Sequence, residues 1–282
     1  MDEINLWALS CIGIAAGFLG STLGVGGGIF IVPIFTLVLH LPIHVAIGSS
    51  LVAIVATSCT AASVYTKAHL TNIKLGLILE TTSAPGAVAG ALIAAHLASP
   101  VLSASFGLIL IYTAYRMIRR QRLMVETYQV QPTNRFAVLS SQLSNSYYDE
   151  NSGKLVTYSI GHIPQGLGAS FFGGVLSGLL GIGGGIIKVP VMNLVMGLPM
   201  KATIGTSSFM IGITAAIGAF IYYYNGFIYP IIVAPLILGI FLGARLGAEL
   251  TKRSTGTLLR YVFAVLLSIT SILMFLQAAS NH

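Results

Sequence analysis

The sequence predicts an all-α integral membrane protein made of two inverted-topology repeats. Each repeat would hold about four spanning helices plus one short glycine-broken half-helix. Three observations lead there. The 282 residues include only 14 Lys or Arg and 7 Asp or Glu, while 55% are hydrophobic. The apolar residues run in long stretches. A glycine-rich segment of the first half returns in the second half. A soluble domain carries about 25% charged residues, and the 7% found here cannot cover a soluble surface. A soluble enzyme, a disordered chain and a nucleic-acid-binding module are therefore disfavoured. The net charge of +7 reads as an orientation signal, because basic residues of membrane proteins collect in cytoplasmic loops.

A hydrocarbon core about 30 Å thick needs ~20 apolar residues of helix. The first apolar stretches are roughly 4–23, 28–41, 43–66, 72–97 and 100–118. They resume at roughly 162–181, 185–198, 200–224, 228–250 and 257–279. Met1-Asp2-Glu3 is not the basic n-region of a cleaved signal, so the first stretch is expected to stay as an anchor. The pieces 28–41 and 185–198 are too short to span; each follows a glycine cluster and carries a proline, Pro33 or Pro190. These stretches divide the chain into a first transmembrane repeat (1–116), a polar cytoplasmic linker (117–160) and a second transmembrane repeat (161–282). The linker holds Arg119, Arg120, Arg122, Glu126, Arg135, Asp149, Glu150 and Lys154. Asn151-Ser152-Gly153 is a turn signal between strand-prone residues, which suits either one hairpin or a tether.

Residues 17–50 (GFLGSTLGVGGGIFIVPIFTLVLHLPIHVAIGSS) align without a gap on 174–207 (GVLSGLLGIGGGIIKVPVMNLVMGLPMKATIGTS), and 17 of the 34 pairs are identical. Weaker similarity continues at a slightly different offset, with Gly86, Gly90 and Ala91 opposite Gly239, Gly243 and Ala244. Counting five pieces per unit, with the glycine cluster as a reversal, places 13 of the 14 basic residues on one side. The loops near 42, 98 and 226 hold none. An odd count inverts the second unit.

Inverted repeats with short, glycine-interrupted segments in matching positions point to a transporter binding site. The turns Gly24, Gly26, Gly27, Gly28 and Gly181, Gly183, Gly184, Gly185 each precede a half-helix expected to start near Ile29 and Ile186. Such a helix start aims bare N–H groups and a positive dipole end at the gap, which suits an anion. The rival reading is that the glycines serve helix–helix packing. A nucleotide site is disfavoured, because GVGGG is not GxGxxG and no strand precedes it.

Lys188 follows the second cluster, where the first copy has Ile31. An ionisable residue at membrane depth is a functional hypothesis by default, set here against snorkelling to an interface. Ser49, Ser50, Thr206 and Ser207 start the next helix of each copy and could donate to oxyanion oxygens, or simply bond their own helix carbonyls. Asn193 is a further lining candidate. Glu80 stands alone in LGLILETTSAPG. It could be a protonatable coupling site or the partner of a lysine. Arg245 and Glu249 form an i,i+4 pair that reads as structural. Cys11, Cys59, His69, His96 and His162 lack ligand spacing, so no metal or cofactor is expected.

The motifs GFLGSTLGVGGGIFIVPIF and GVLSGLLGIGGGIIKVPVMNLVMGLPMKATIGTSSFMIG, with YYDENSGKLVTYSIG before the second, resemble the sulfite exporter TauE/SafE family over nearly the whole chain. That resemblance implies a permease of the prokaryotic cytoplasmic membrane for sulfur-containing anions such as sulfite, sulfoacetate and thiosulfate, or for organosulfonates. On it, Lys188 falls on the motif's lysine and the triplets fall on its glycines. The resulting expectation is an alternating-access anion transporter and not an enzyme, with a small anion and the lipid bilayer as partners and no nucleic acid. A passive anion channel and a membrane subunit without transport remain alternatives, and a homodimer stays open.

Overall fold

Apolar segments at membrane depth must satisfy their own N–H and C=O groups, so they form helices. The computed structural model describes residues 6–102, 104–105, 108, 143–149 and 153–253. The stretches 100–118 and 257–279 and most of the polar linker lie largely outside the described residues. The first unit contains α1 (Leu6–Leu23), α2 (Gly28–Leu37), α3 (Ile43–Lys67) and α4 (Ile73–His96). A hairpin of β1 (Asn145–Asp149) and β2 (Lys154–Tyr158) follows. The second unit contains α5 (Ile163–Leu180), α6 (Gly185–Leu194), α7 (Met200–Tyr224) and α8 (Pro230–Arg253). Six of these, all but α2 and α6, are long and apolar enough to cross a membrane. The ten-residue α2 and α6 rise only about 15 Å.

Every described helix of the second unit begins and ends 157 positions after its counterpart: Leu6 and Ile163, Gly28 and Gly185, Ile43 and Met200, Ile73 and Pro230. This corrects the pairing of Gly86 and Gly90 with Gly239 and Gly243. A Cβ on Gly86 would run into the Phe171 carbonyl, and one on Gly243 into the Ile14 carbonyl, its counterpart 157 positions earlier. Gly90 on Val175 and Gly247 on Phe18 repeat the match. The true partners are therefore Gly86 with Gly243 and Gly90 with Gly247. Glycine permits these backbone-to-backbone approaches, and they join α4 to α5 and α8 to α1.

Contacts between the units are reciprocal. Gly48 lies against the Phe227 carbonyl and Gly205 against that of Leu70. Gly24 lies against Ile204 and Gly181 against Ile47. The equivalent helices α3 and α7 cross antiparallel: Leu51 meets Gly218, while Ser58 meets Gly212 and donates to the Ser208 carbonyl. α6 folds back along α5. Gly184 sits on the Gly173 carbonyl, and the Gly161 N–H donates to the Met196 carbonyl at 3.0 Å. The second glycine turn is thus re-entrant, returning the chain to the end where α5 began.

That end carries Lys67, Lys74, Lys201, Lys252 and Arg253, the basic residues whose distribution led to the expectation of a cytoplasmic face. The hairpin closes over it. Tyr147, Tyr158, Leu143 and Ile160 pack with Leu70, Leu75, Met196 and Met200. The Asn72 amide donates to the Leu143 carbonyl at 2.8 Å. Lys201, at the start of α7, bonds Asp149 of β1 at 2.6 Å and the Lys252 carbonyl at 2.7 Å. Burial lifts the Tyr158 phenol above its usual range, partly offset by a hydrogen bond from Asn72.

Candidate functional site

The two glycine clusters close on each other at the pseudo-two-fold. Gly26 and Gly27 have φ near +83° and +81°, and Gly183 and Gly184 have +72° and +68°. Residues with a Cβ rarely adopt this conformation, so glycine is needed for the turn itself. The half-helices start one residue earlier than the sequence suggested, at Gly28 and Gly185. A Cβ on Gly28 would strike the Gly181 carbonyl, and one on Gly185 the Gly24 carbonyl. Each half-helix start is therefore packed on the other repeat's turn.

The hydroxyls Ser50 and Ser207 hold this crossing together. Ser50 donates to the Gly181 carbonyl at 2.8 Å, and Ser207 to the Gly24 carbonyl at 2.7 Å. Thr206 accepts from the Asn72 N–H at 3.0 Å. Ser49 is fully buried, and its hydroxyl has no hydrogen-bond partner among the described residues. Asn193 donates to the Leu198 carbonyl at 2.7 Å and so braces the turn after α6.

Lys188 is the fourth residue of α6 and is 1% exposed. Its stem lies over Gly173 of α5, where a Cβ would sit 3.4 Å from the lysine Cγ. Its Nζ reaches Glu80 Oε2 of α4 at 3.3 Å. It also donates to Thr214 Oγ1 of α7 at 2.8 Å. The Thr214 hydroxyl bonds Glu80 Oε1, with the Met210 carbonyl as an alternative acceptor at 3.1 Å. Ser83 Oγ lies 3.2 Å from Thr214 Oγ1. Glu80, Ser83 and Thr214 are all buried. Three helices from both repeats thus converge on one neutral ion pair.

The structure joins Lys188 to Glu80, which sequence reading had singled out separately. It engages Ser50, Thr206 and Ser207 elsewhere. Sequence reasoning missed Thr214 and Ser83. Ser83 carried a readable signal, because i and i+3 share a helix face and Glu80 is the one carboxylate in its apolar run. Glu249 forms its ion pair with Lys252 at 2.6 Å, in place of the expected Arg245. Among the described residues no group of three or more His, Cys, Asp or Glu could hold a metal.

The family profile for sulfite exporters of the TauE/SafE type matches residues 9–274. The chain belongs to the TauE/SafE family. As a TauE/SafE member it is a multi-pass integral membrane protein and a transporter, not an enzyme. It is 30% identical to the probable membrane transporter protein YunE of Bacillus subtilis, over 93% of this chain and 94% of that protein. It is 28% identical to the probable membrane transporter protein YdhB of the same organism, over 86% of each. A probable membrane transporter protein of Methanocaldococcus jannaschii is 25% identical over 95% of this chain and 94% of its own. No solved structure matches this TauE/SafE member significantly.

Proposed function

We propose that this transporter moves small sulfur-containing oxyanions or organosulfonates, such as sulfite, by alternating access around Lys188. The observation that carries the reading is the buried Lys188–Glu80 pair beside a half-helix start. A carboxylate already occupies the lysine and the Thr214 hydroxyl, which is the geometry an oxyanion would use. An entering anion takes the place of the Glu80 carboxylate on both groups. The displaced carboxylate, left without its cation at membrane depth, takes up a proton, since an unpaired charge there is costly. Anion and proton then travel together, with Glu80 as the coupling group.

The antiparallel crossing of α3 and α7 supports inverted repeats that rock about this site. Opening would part the turns Gly24–Gly28 and Gly181–Gly185 and bare the N–H groups of α2 and α6 to the anion. The near-complete burial of Lys188 supports a gated carrier over an open channel. Export of a monoanion without its proton would gain about 2.3 kcal/mol per 100 mV of interior-negative potential, whereas the proton-coupled step moves no net charge and is driven by the concentration and pH gradients. Uptake draws on the co-transported proton.

The test is anion flux into proteoliposomes with sulfite, sulfate, thiosulfate, sulfonates and simple carboxylates. Lys188→Met is expected to lose flux of every anion the parent carries. A variant that moves any of them as fast as the parent would falsify the lysine's role.

A further inference from the structure

A groove of about 560 Å³ opens between α3 and α8 at the basic end. Its lining is graded along the membrane normal. Phe241 and Cys59, both exposed, form its deep part. Ser63 comes next, and Lys67, Arg245 and Lys252 form the outer part. Glu249 also lines it but is held by Lys252 at 2.6 Å. Three cations against one carboxylate leave the groove net positive. Phe241 to Lys252 spans eleven residues of α8, or about 16 Å. That length runs from the headgroup layer into the upper acyl region.

The pseudo-two-fold supplies a control. The equivalent positions at the other end, on α7 and α4, are Phe220 for Ser63, Tyr224 for Lys67, Val88 for Arg245 and Ala95 for Lys252. No charge stands at any of these four positions. The helices behind the basic groove carry Ile31, Ile237 and Ile240 where the other half has Lys188, Glu80 and Ser83. Thr57, the counterpart of Thr214, is the polar member of that set, and its hydroxyl donates to the Ala53 carbonyl of its own helix at 2.9 Å, so no charged group stands at these positions to receive a free anion further in.

We propose that the α3–α8 groove binds the headgroup of an anionic phospholipid of the cytoplasmic leaflet. Lys67 and Arg245 would hold the phosphate, Ser63 would donate to its ester oxygens, and Phe241 and Cys59 would lie along the first acyl carbons. Basic pockets between transmembrane helices on this side are suited to such headgroups.

The test uses the full-length protein in neutral detergent, with Cys11→Ser leaving Cys59 as the sole thiol. Maleimide labelling of Cys59 is followed with phosphatidylglycerol, phosphatidylcholine or inorganic phosphate added. Phosphatidylglycerol is expected to slow labelling by up to roughly thirtyfold, the weight of two basic side chains at an anionic surface. Phosphatidylcholine and inorganic phosphate should leave the rate nearly unchanged. Lys67→Gln with Arg245→Gln should abolish the protection, while Lys74→Gln, at the same end but outside the groove, should keep it. Equal protection by phosphatidylcholine, protection by inorganic phosphate, or intact protection in the double variant would overturn the proposal. The lipid arms use the unaltered groove, so they stand even if the double variant fails to fold.

Discussion

Lys188 and Ile31 hold the same place in two copies of one unit, and their surroundings differ as sharply as they do. Around Lys188 stand Glu80, Ser83 and Thr214. Around Ile31 the same positions are Ile237, Ile240 and Thr57. The helices keep identical bounds in both copies, so the apolar set builds the fold unaided. The polar set adds the cost of desolvating two charges, which their mutual attraction barely repays. A feature that folding does not need, kept at one of two equivalent places, is most economically read as functional.

The largest expected effect comes from breaking this pair on one side. Lys188→Met leaves Glu80 buried without its cation, and stability should fall by about 3–5 kcal/mol. Lys188→Met with Glu80→Gln turns the polar site toward its apolar counterpart. That double variant should regain most of the stability and none of the flux. Thermal unfolding in detergent beside the flux assay reads both. If the double variant is as unstable as the single one, the pair is not what the comparison turns on.

Glu80→Gln alone should act more mildly. Lys188 is then buried without its carboxylate, which costs stability, but the amide oxygen can still accept from it, so the loss should be smaller than in Lys188→Met. A side chain that cannot gain or lose a proton uncouples the anion from the pH gradient. Each unit of gradient offers about 1.4 kcal/mol per proton, and the parent's flux should respond to it where the variant's does not. Equal pH responses in parent and variant would remove Glu80 from the coupling step.

Much of the fold was legible because the repeat is nearly exact around its turns. Where glycines recur every fourth residue, as at Gly239, Gly243 and Gly247, legibility failed. There a slip of one helical turn matches almost as many small residues, and only the carbonyl each glycine touches fixes the register. The lone charges Lys188 and Glu80 were visible as anomalies. Their meeting was not, because 108 positions separate them and no periodicity links α4 to α6. Ser50 and Ser207 stood out as a symmetric pair, yet their partners are the opposite turns' carbonyls. Only the crossing of the two repeats creates those contacts.

The finest form of the comparison lies between two threonines, Thr214 and Thr57. Thr57 donates to the Ala53 carbonyl of its own helix at 2.9 Å, a bond valine can lose at little cost because the carbonyl keeps its backbone partner. Thr214 has the same kind of local acceptor in Met210 but also bridges Lys188 and Glu80. Thr214→Val should therefore cost about 1–3 kcal/mol, as expected when charged groups lose a buried partner, and should slow anion flux. Thr57→Val should change stability by less than about 1 kcal/mol and leave flux as it was. Both substitutions preserve shape and β-branching, so packing changes cancel between them. What remains is the hydroxyl's place in the ion-pair network. Equal losses in the two variants would mean that the hydroxyl supports the helix in both copies and serves the anion in neither.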